Sequence, residues 1–510
     1  MKTRPVSALP VLILVALLVA QPVARSAYQV PGSMDTTFNP PANLGTVLSV
    51  TVQPDGKIIL GGGSWSFDVP PVTFVRLLPD GAVDQDFHPG SGPDQAVEKV
   101  LLLKDGRILI GGAFTSYNHA PVRGLVRLNR NGTLDTTFVN PVLDGAVNNI
   151  VRQKDGKLII TGGFNQVNHT SRNRIARLLA DGSLDPGFNP GALIATTSFY
   201  DPVFYAVAEQ DNGRILVGGR FASLDANLFY YFARFNSDGS HDPTFRPPVV
   251  LAPVFALAFQ STGQILVGGE FWAPRVNLLR ISPADGALDE SFDADIGTVA
   301  SDPIVTTLLV QPDDRVLLGG ANFSEIGALA RNLIGRLHAD GGGDASFDPG
   351  TGPNFNWVGS LALAAGGSIY AGGSFTGFNG LPAPGLVRLH NDSFAPRVQF
   401  TSASYIGFED GGRGVTVTIR RSGPTDRPLR VDFQTRPGTA KRGQDFKTRA
   451  GTLKLATGEI AKSFTLDVRD DRKAEGPESF TIQLRRASDR NVEIGPLDTA
   501  VLTILDDEMP

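Results

Sequence analysis

The amino-acid sequence predicts an all-β protein, a seven-bladed β-propeller followed by an immunoglobulin-like antiparallel β-sandwich. Three observations support this fold class. A unit of about 50 residues recurs seven times, its apolar runs have the length of strands and are separated by turn residues, and the pattern changes to longer alternating strands near residue 397. We therefore divide the chain into a signal peptide (1–26), a propeller (32–394) and a sandwich (396–510).

Composition excludes several classes of protein. The 510 residues include 58 glycines and 36 prolines, too few for a low-complexity chain, and 41% are hydrophobic, enough for packed cores. Without cysteine there are no disulfides, thiol catalysts, iron–sulfur clusters or cysteine-based zinc sites. A formal net charge of −5 gives no electrostatic reason to expect a nucleic-acid partner.

The first 26 residues have the features of a signal peptide. Lys2 and Arg4 supply a charged start, and an apolar run follows over 9–20. The Ala-Arg-Ser sequence at 24–26 fits a small-x-small cleavage pattern. An uncleaved membrane anchor is the alternative, although this run is shorter than the ~20 residues of a span. We expect a mature protein without a transmembrane span, secreted or at the cell surface of a bacterium, in the envelope or outside it.

Three features mark every copy of the repeated unit. They are the motif Gly-x-x-Asp-x-x-Phe, a Gly-Gly doublet that ends an apolar run, and an arginine followed by an apolar residue. The aspartates of the motif are Asp35, Asp84, Asp135, Asp185, Asp242, Asp289 and Asp344. The doublets begin at Gly61, Gly111, Gly162, Gly218, Gly268, Gly319 and Gly372. The arginines are Arg76, Arg127, Arg177, Arg234, Arg280, Arg336 and Arg388.

The second unit illustrates how one copy predicts a propeller blade. Two apolar runs flank an Asp-Gly turn at 104–106, which is a strong hairpin signal, and a third strand surrounds 125–128. A turn at 131–132 then leads into a fourth short strand that carries Leu134 and Phe138. Four short strands per unit are typical of a blade. A solenoid is the alternative, but the polar caps that it needs are not visible.

The order of the motifs predicts how the ring closes. The first Gly-x-x-Asp-x-x-Phe precedes the first doublet, whereas the last unit lacks the motif after Arg388. We therefore predict that a strap at 33–40 supplies the fourth strand of the last blade, which leaves no open sheet edge.

The whole unit resembles the delta-60 repeat of secreted bacterial proteins. The resemblance covers about 360 residues and departs locally where 262–264, 313–315 and 366–368 replace the usual Asp-Gly-Lys turn. It implies a propeller of unestablished function. Because a single active site needs one or two particular carboxylates and not the same aspartate in every blade, we interpret these aspartates as structural and predict no enzyme activity.

The long connections between strands are predicted to lie on one face of the disc. They carry aromatic and asparagine side chains, which suit a binding face for an unknown protein or glycan, although the same aromatics are equally suited to filling gaps between blades. The aromatic residues concerned are Trp65, Phe67, Tyr117, Phe199, Tyr200, Phe204, Tyr205, Phe271, Trp272, Phe355 and Trp357.

The C-terminal segment gathers acidic residues at one pole. When its six predicted strands, which begin with 415–421 and end with 499–505, alternate in direction, 10 of the 17 acids after residue 396 fall at the same end of the sandwich. Carboxylates packed in this way repel one another unless a cation neutralises them, and Ca²⁺ accepts oxygen ligands from several loops. A solvated acidic rim, balanced internally by neighbouring basic residues, is the alternative.

This segment resembles a Calx-beta domain, the calcium-binding sandwich of sodium/calcium exchangers and many extracellular proteins. The matching stretches include Phe-Glu-Asp-Gly at 408–411, Gly-Gln-Asp-Phe at 443–446, Glu-Gly-Pro-Glu-Ser-Phe at 475–480 and Leu-Asp-Asp-Glu at 505–508. Carried over residue by residue, the resemblance implies Ca²⁺ ligands at Glu409, Asp445, Asp470, Asp471, Glu475, Glu478, Asp506 and Asp507.

Taken together, the sequence predicts an exported, non-catalytic binding or adhesion protein with a calcium-binding module. The alternative is a secreted propeller enzyme, a glycan hydrolase or lyase, with its site in the loops of one blade and a calcium-stabilised accessory domain. It would show a non-repeated acid pair or histidine on the long-loop face. A third alternative is a scaffold without exposed aromatics on that face.

Overall fold

The computed structural model describes residues 30–63, 74–191, 202–221, 231–297, 302–392, 396–409, 414–422, 428–447, 449–469, 476–486, 492–495 and 497–505. Every element in these ranges is a strand, a turn or an irregular segment, in agreement with the predicted all-β class. No helix in this part of the chain is long and apolar enough to cross a membrane. The predicted signal peptide lies outside these residues.

The repeated region forms antiparallel sheets of three main strands, with small hairpins in several long connections. The strands of the first three units are β1 (Val47–Val52), β2 (Ile58–Gly62), β3 (Phe74–Leu77), β4 (Val97–Leu102), β5 (Ile108–Gly112), β6 (Ser116–Tyr117), β7 (Ala120–Pro121), β8 (Leu125–Leu128), β9 (Val147–Arg152), β10 (Leu158–Gly162), β11 (Gln166–Val167), β12 (Thr170–Ser171) and β13 (Ile175–Leu178).

The remaining units follow the same plan. Their strands are β14 (Val203–Glu209), β15 (Ile215–Arg220), β16 (Phe232–Phe235), β17 (Val254–Phe259), β18 (Ile265–Gly269), β19 (Leu278–Ile281), β20 (Ile296–Gly297), β21 (Ile304–Val310), β22 (Val316–Ala321), β23 (Glu325–Ile326), β24 (Leu329–Ala330), β25 (Ile334–Leu337), β26 (Val358–Leu363), β27 (Ile369–Gly373), β28 (Gly377–Phe378), β29 (Leu381–Pro382) and β30 (Leu386–Leu389).

The described residues form seven three-stranded sheets of this kind, consistent with the seven predicted blades. The first strand of each sheet contacts the first strands of both neighbouring sheets, and β1 contacts β26 as well as β4, so the series forms a ring. Hydrophobic clusters combine residues from adjacent sheets, as where Ile59 and Phe74 pack with Val97 and Ile110. The core of the propeller therefore lies between blades.

The predicted fourth strand is shorter than expected. It is reduced to a single bridge with the third strand, as between Leu128 and Leu134, because the following aspartate turns the chain within the next few residues. In the last blade the bridge joins Met34 to Leu389. The N–H of Asp35 donates to the Arg388 carbonyl at 2.8 Å, so the N-terminal strap occupies the position that the sequence predicts.

The glycine doublets allow the blades to approach closely. A Cβ on Gly61 would lie 2.7 Å from Cγ1 of Val97 in the next blade, and one on Gly62 would lie 2.1 Å from the Thr46 carbonyl oxygen. The prediction of the doublet in the third unit was wrong by one residue, because Thr161 and Gly162 occupy the two positions. Gly163 lies beyond the strand, in open space.

Each repeated arginine forms an arginine clamp, by which we mean its combined contacts with the motif aspartate, the motif phenylalanine and the next blade. In the fourth unit, Nε of Arg234 donates to Oδ2 of Asp242 at 2.8 Å, and the guanidinium lies 4.2 Å from the centroid of the Phe245 ring. Nη1 donates to the Pro283 carbonyl of the next blade at 2.7 Å. The arginine therefore forms the predicted contact within its blade and also a hydrogen bond to the next blade.

The arginine clamp recurs around the ring. The Nε–Oδ2 distances lie between 2.6 and 2.8 Å in all seven units, and Arg388 reaches back to Asp35 of the strap and to the Pro79 carbonyl of the first blade. Since the seven aspartates are held in ion pairs, the structure agrees with their interpretation as structural residues.

The aromatics of the long connections differ in exposure, and Tyr205 and Trp357 are half-buried. Phe204, Tyr117 and Phe271 are fully buried, so they fill space within and between blades, whereas Trp272 and Phe355 are 55% and 47% exposed. Trp65, Phe67, Phe199 and Tyr200 lie outside the described residues. The prediction of an exposed aromatic face therefore holds for part of the set only.

The C-terminal segment forms two packed sheets. Its strands are β31 (Arg397–Phe400), β32 (Ser404–Phe408), β33 (Val415–Ser422), β34 (Leu429–Pro437), β35 (Ala450–Leu455), β36 (Ala461–Leu466), β37 (Glu478–Arg486), β38 (Glu493–Ile494) and β39 (Thr499–Leu505). One sheet has the order β36-β33-β31-β38 and the other β32-β39-β37-β34-β35, with an apolar core between them. The six predicted strands are present, and β31, β32 and β38 add to them.

Removing one arginine clamp should destabilise the propeller. We expect Arg234→Met to lower the free energy of unfolding by about 3–5 kcal/mol, because it leaves the buried Asp242 without its main partner. The matched control is Arg275→Met, whose guanidinium pairs with the exposed Glu290 and Asp293, and for which we expect less than about 1 kcal/mol. Urea unfolding followed by near-ultraviolet circular dichroism measures both, and equal losses would contradict the structural role.

The arginine clamps should also make the propeller sensitive to acid. Burial by itself raises the pKa of Asp84, but hydrogen bonds from Lys57 and Arg76 outweigh it and lower the pKa to about 2. Similarly, hydrogen bonds from Ser346 and the charge of Arg336 outweigh burial and lower the pKa of Asp344 to about 2. Because the folded-state pKa lies below the unfolded value of ~3.9, the stabilisation is complete above that pH and is lost as the pH falls towards 2.

Acid unfolding should therefore begin below about pH 4 and steepen towards pH 2. Circular dichroism across this range checks the expectation. A propeller equally stable at pH 5 and at pH 2 would contradict it.

Candidate metal centre

The acidic pole of the sandwich lies where β32 and β39 end and β37 begins. β32 and β39 are parallel, with Phe408 opposite Leu505, and the N–H of Glu409 donates to the Leu505 carbonyl at 3.1 Å. β37 is antiparallel to β39 and starts with Glu478 opposite Ile504. Glu409 and Glu478 thus flank the end of β39, immediately before Asp506 and Asp507 in the sequence.

The loop between β34 and β35 brings Asp445 to the same pole. Asp445 is only 4% exposed, and its Oδ2 accepts a hydrogen bond from the Lys441 N–H at 2.5 Å. Its backbone carbonyl accepts from the N–H of Arg469 at 2.9 Å. Asp445 is therefore next to the end of the segment that continues into Asp470 and Asp471.

Packing holds this loop against the start of β37. The Phe446 ring is stacked on the Phe480 ring, with centroids 3.9 Å apart and planes 5° apart, and both rings are fully buried. Ala440 donates its N–H to the Ser479 carbonyl, and Ser479 donates its own to Oγ1 of Thr439 at 2.7 Å. The aromatic stack and these bonds fix the position of Asp445 relative to Glu478.

Three of the eight predicted ligands are described, and the structure brings all three to one pole. They are Glu409, Asp445 and Glu478, while Asp470, Asp471, Glu475, Asp506 and Asp507 lie outside the described residues. Within the described ranges no three acidic or histidine side chains meet closely enough to form a metal site. The topology places the ends of the described segments so that the other five acids follow directly from this pole or lead into it.

The residues present have the chemistry that a calcium ion requires. The donors are carboxylates on several separate loops, and Oδ1 of Asp445 accepts no hydrogen bond from the described part of the chain. Nη1 of Arg469 donates to the Gly443 carbonyl at 2.5 Å, and this arginine forms no ion pair with any described carboxylate. Within the described residues, Arg469 therefore forms no ion pair with the carboxylates of the pole.

Comparison with protein families gives two matches. The model of the Calx-beta domain matches residues 391–508. The model described as a domain of unknown function (DUF5122) beta-propeller matches 53–87, 103–138, 153–188, 210–245, 260–292 and 367–394. The chain carries DUF5122 β-propeller repeats and a C-terminal Calx-beta domain. Both predicted resemblances are confirmed.

Two curated relatives each match about a quarter of this chain. Sodium/calcium exchanger 3 of Rattus norvegicus is 32% identical over 145 residues, which is 24% of this chain and 16% of the exchanger. The extracellular matrix organizing protein FRAS1 of Homo sapiens is 29% identical over 126 residues, which is 24% of this chain and 3% of that protein. The chain thus spans a small part of either relative.

Two solved structures are each similar to part of the chain. The apo-form Calx CBD1 domain is 32% identical, with a TM-score of 0.21, and the match covers 22% of this chain and 99% of that domain. The gluconolactonase XC5397 from Xanthomonas campestris is 11% identical, with a TM-score of 0.32, and the match covers 68% of this chain and 86% of that enzyme.

The sequence prediction missed the strand that positions Glu409. β32 pairs in parallel with β39, and its exposed Ile406 and Phe408 hide the alternation expected of a half-buried strand. Apolar residues on either side of 402–404 could have indicated β31 and β32. The two strands belong to different sheets, so the segment between them lacks the pattern of a hairpin.

The aromatic stack should be essential to the Calx-beta domain. We expect Phe446→Ala to lower its free energy of unfolding by about 3–5 kcal/mol, because a fully buried ring is removed from a packed site. The matched control is Phe408→Ala, whose ring is 54% exposed and whose loss should cost much less. Thermal unfolding of the two variants compares them, and similar midpoints would show that the stack has no such role.

Proposed function

We propose that this chain is an exported, non-catalytic binding protein in which a propeller recognises a partner and a Calx-beta domain binds Ca²⁺. The observation that carries the calcium part is the meeting of three separate acid-bearing segments, at Glu409, Asp445 and Glu478, at one pole of the sandwich. Such a pole is stabilised by a divalent cation, because carboxylates brought together otherwise repel one another.

The eight predicted carboxylates would hold the ion. Ca²⁺ takes six to eight oxygen ligands with flexible geometry, which suits side chains supplied by several loops. Bound there, it would neutralise the pole and cross-link the ends of the strands. The similarity to a sodium/calcium exchanger supports the same assignment. Extracellular calcium modules commonly bind at ~10⁻⁴–10⁻³ M, so we assign the ion a structural role.

Two observations support a binding role for the propeller. Its repeated carboxylates are paired with arginines, which leaves them unavailable as catalytic acids. Trp272 and Phe355 are exposed on the long-loop face, where aromatic side chains can pack on a protein or glycan partner. The similarity of the Calx-beta domain to an extracellular matrix organizing protein is in keeping with adhesion at the cell surface.

Calorimetric titration of the full chain with CaCl₂ tests the calcium proposal. We expect binding with a dissociation constant of ~10⁻⁴–10⁻³ M and an upward shift of the thermal unfolding midpoint of the Calx-beta domain. Changing Asp470 and Asp471 together to Ala should weaken binding at least about tenfold, since each lost carboxylate removes a charged ligand.

Glu459→Gln is the matched control for this titration. Glu459 lies at the opposite pole, where its carboxylate accepts a hydrogen bond from the Ala456 N–H at 2.7 Å and pairs with Lys462. We expect this variant to bind Ca²⁺ like the unmodified chain. Absence of any heat or thermal shift from the unmodified protein would refute the calcium proposal.

A further inference from the structure

The first strand of every blade contains a β-bulge at the same place. In each sheet the pairing of the first and second strands skips one residue of the first strand, close to its start. The skipped residues are Leu48, Glu98, Asn148, Tyr205, Phe255, Thr306 and Gly359. Bulges of this kind redirect side chains.

These bulges turn side chains towards the axis of the ring. Val47 and Val50 point back to Gly372 of the preceding blade, whereas Ser49, which follows the bulge, accepts a hydrogen bond at Oγ from the N–H of Val100 in the next first strand. Because the first strands contact one another around the ring, they form its inner edge, and the bulge sets its own residue and the one after it at the edge of the central channel. Both residues lie at the end nearest the long-loop face.

The channel-lining pairs are the least repeated part of the propeller. At the position before the bulge six blades have valine and one has Phe204, as packing between blades requires. The bulge pairs instead run Leu-Ser, Glu-Lys, Asn-Asn, Tyr-Ala, Phe-Ala, Thr-Thr and Gly-Ser. One side of the channel is thus polar, with Glu98, Lys99 and Asn148, and the blades that follow contribute Tyr205 and Phe255.

Two of these polar groups have no partner among the described residues. Neither the Glu98 carboxylate nor the Lys99 ammonium forms a hydrogen bond or ion pair with the described residues, although both side chains are half-buried. Burial raises the pKa of Glu98 to about 7 and lowers the pKa of Lys99. Unpaired polar groups in a confined channel are costly unless a ligand or water satisfies them.

Other polar side chains at the bulges already form hydrogen bonds within the propeller. Asn149 donates from Nδ2 to the Tyr205 carbonyl and accepts at Oδ1 from the Ile150 N–H, and Thr306 donates to the Val358 carbonyl at 2.6 Å. The contrast distinguishes polar side chains that complete the inner edge of the blades from Glu98 and Lys99, which the fold does not use.

The aromatic side of the channel forms a surface of two rings. The centroids of Tyr205 and Phe255 are 5.1 Å apart, with their planes inclined by 31°. Burial raises the pKa of the Tyr205 hydroxyl, opposed by the charge of Arg220 and reinforced by that of Glu270. Its hydroxyl finds no hydrogen-bond partner among the described residues.

The chemistry of this lining selects a class of ligand. Glu98 and Lys99 would carry opposite charges, and burial disfavours the charged form of both, so the site has no strong preference for a small anion or cation. Carboxylate, ammonium and amide groups bond to hydroxyls that both donate and accept, while aromatic faces pack on the C–H side of a ring. A sugar presents both surfaces.

We propose that the long-loop end of the central channel binds a sugar, packed on Phe255 and Tyr205 and hydrogen-bonded by Glu98, Lys99 and Asn148. This inference rests on the recognition role proposed above for the propeller and specifies its site and ligand class. A glycan chain would enter by its terminal sugar, because all the blades surround the site.

Screening the full calcium-loaded chain on an array of neutral, amino and acidic oligosaccharides identifies the sugar, and calorimetry with that oligosaccharide measures its affinity. We expect Phe255→Ala and Glu98→Gln each to weaken binding at least about tenfold, equivalent to ~1.4 kcal/mol. Tyr205→Phe, which keeps the ring and removes the hydroxyl, should weaken it less. Circular dichroism verifies that each variant remains folded.

Trp272→Ala and Phe355→Ala, which remove exposed aromatics from the surrounding loops, test whether the sugar binds on those loops instead of in the channel. The matched control is Val142→Ala, which removes an exposed apolar side chain that has no role in the proposed site, and we expect it to retain affinity within about twofold. If the loop variants abolish binding while the channel variants do not, the channel site is wrong and the recognition role of the face stands. If no oligosaccharide binds while Ca²⁺ still does, the sugar proposal is refuted and the calcium proposal is untouched.

Discussion

A buried guanidinium bonded to the neighbouring blade is the interaction on which the propeller depends. Each arginine clamp satisfies a charge in the interior with an aspartate of its own blade and uses the remaining N–H groups to hold the next blade by a backbone carbonyl or, at Arg336, by side chains of the last blade. The aspartate compensates the desolvated charge, and the phenylalanine excludes water from the pair. A planar group with five donors is suited to these simultaneous contacts in a way that lysine is not.

The sequence contained enough information to predict the blades and their closure, because each repeated feature corresponds to a local requirement. The position of the strap followed from the order of the motifs, and Asp35 indeed meets Arg388. The bonds between blades could not be predicted, since their usual acceptor is a main-chain carbonyl such as that of Ala180, which any residue provides. The register in the third unit was missed because a threonine fits where other units use glycine.

The candidate metal centre was predictable to the level of a pole. The alternation of strand directions predicted that Asp445 and Glu478 lie at the same pole, as they do, although 33 positions separate them in the chain. Strand parity says nothing about the loop geometry that decides which carboxylate oxygens face an ion. Asp445 shows the difference, because one of its oxygens already caps the backbone of its own loop at Lys441. The channel lining could not be predicted from the repeats, because its residues differ from blade to blade.

The strap at 33–40 constrains the order in which the propeller assembles. A segment made before the seven repeats pairs with the last of them, across 353 positions between Asp35 and Arg388. Loop-closure entropy rises only slowly with length, so this distance adds little to the free energy of the finished ring. It does impose an order on assembly, because the strap has no docking site until the final repeat has been synthesised. A ring built in this way stays open during synthesis and closes only after the last blade has been made.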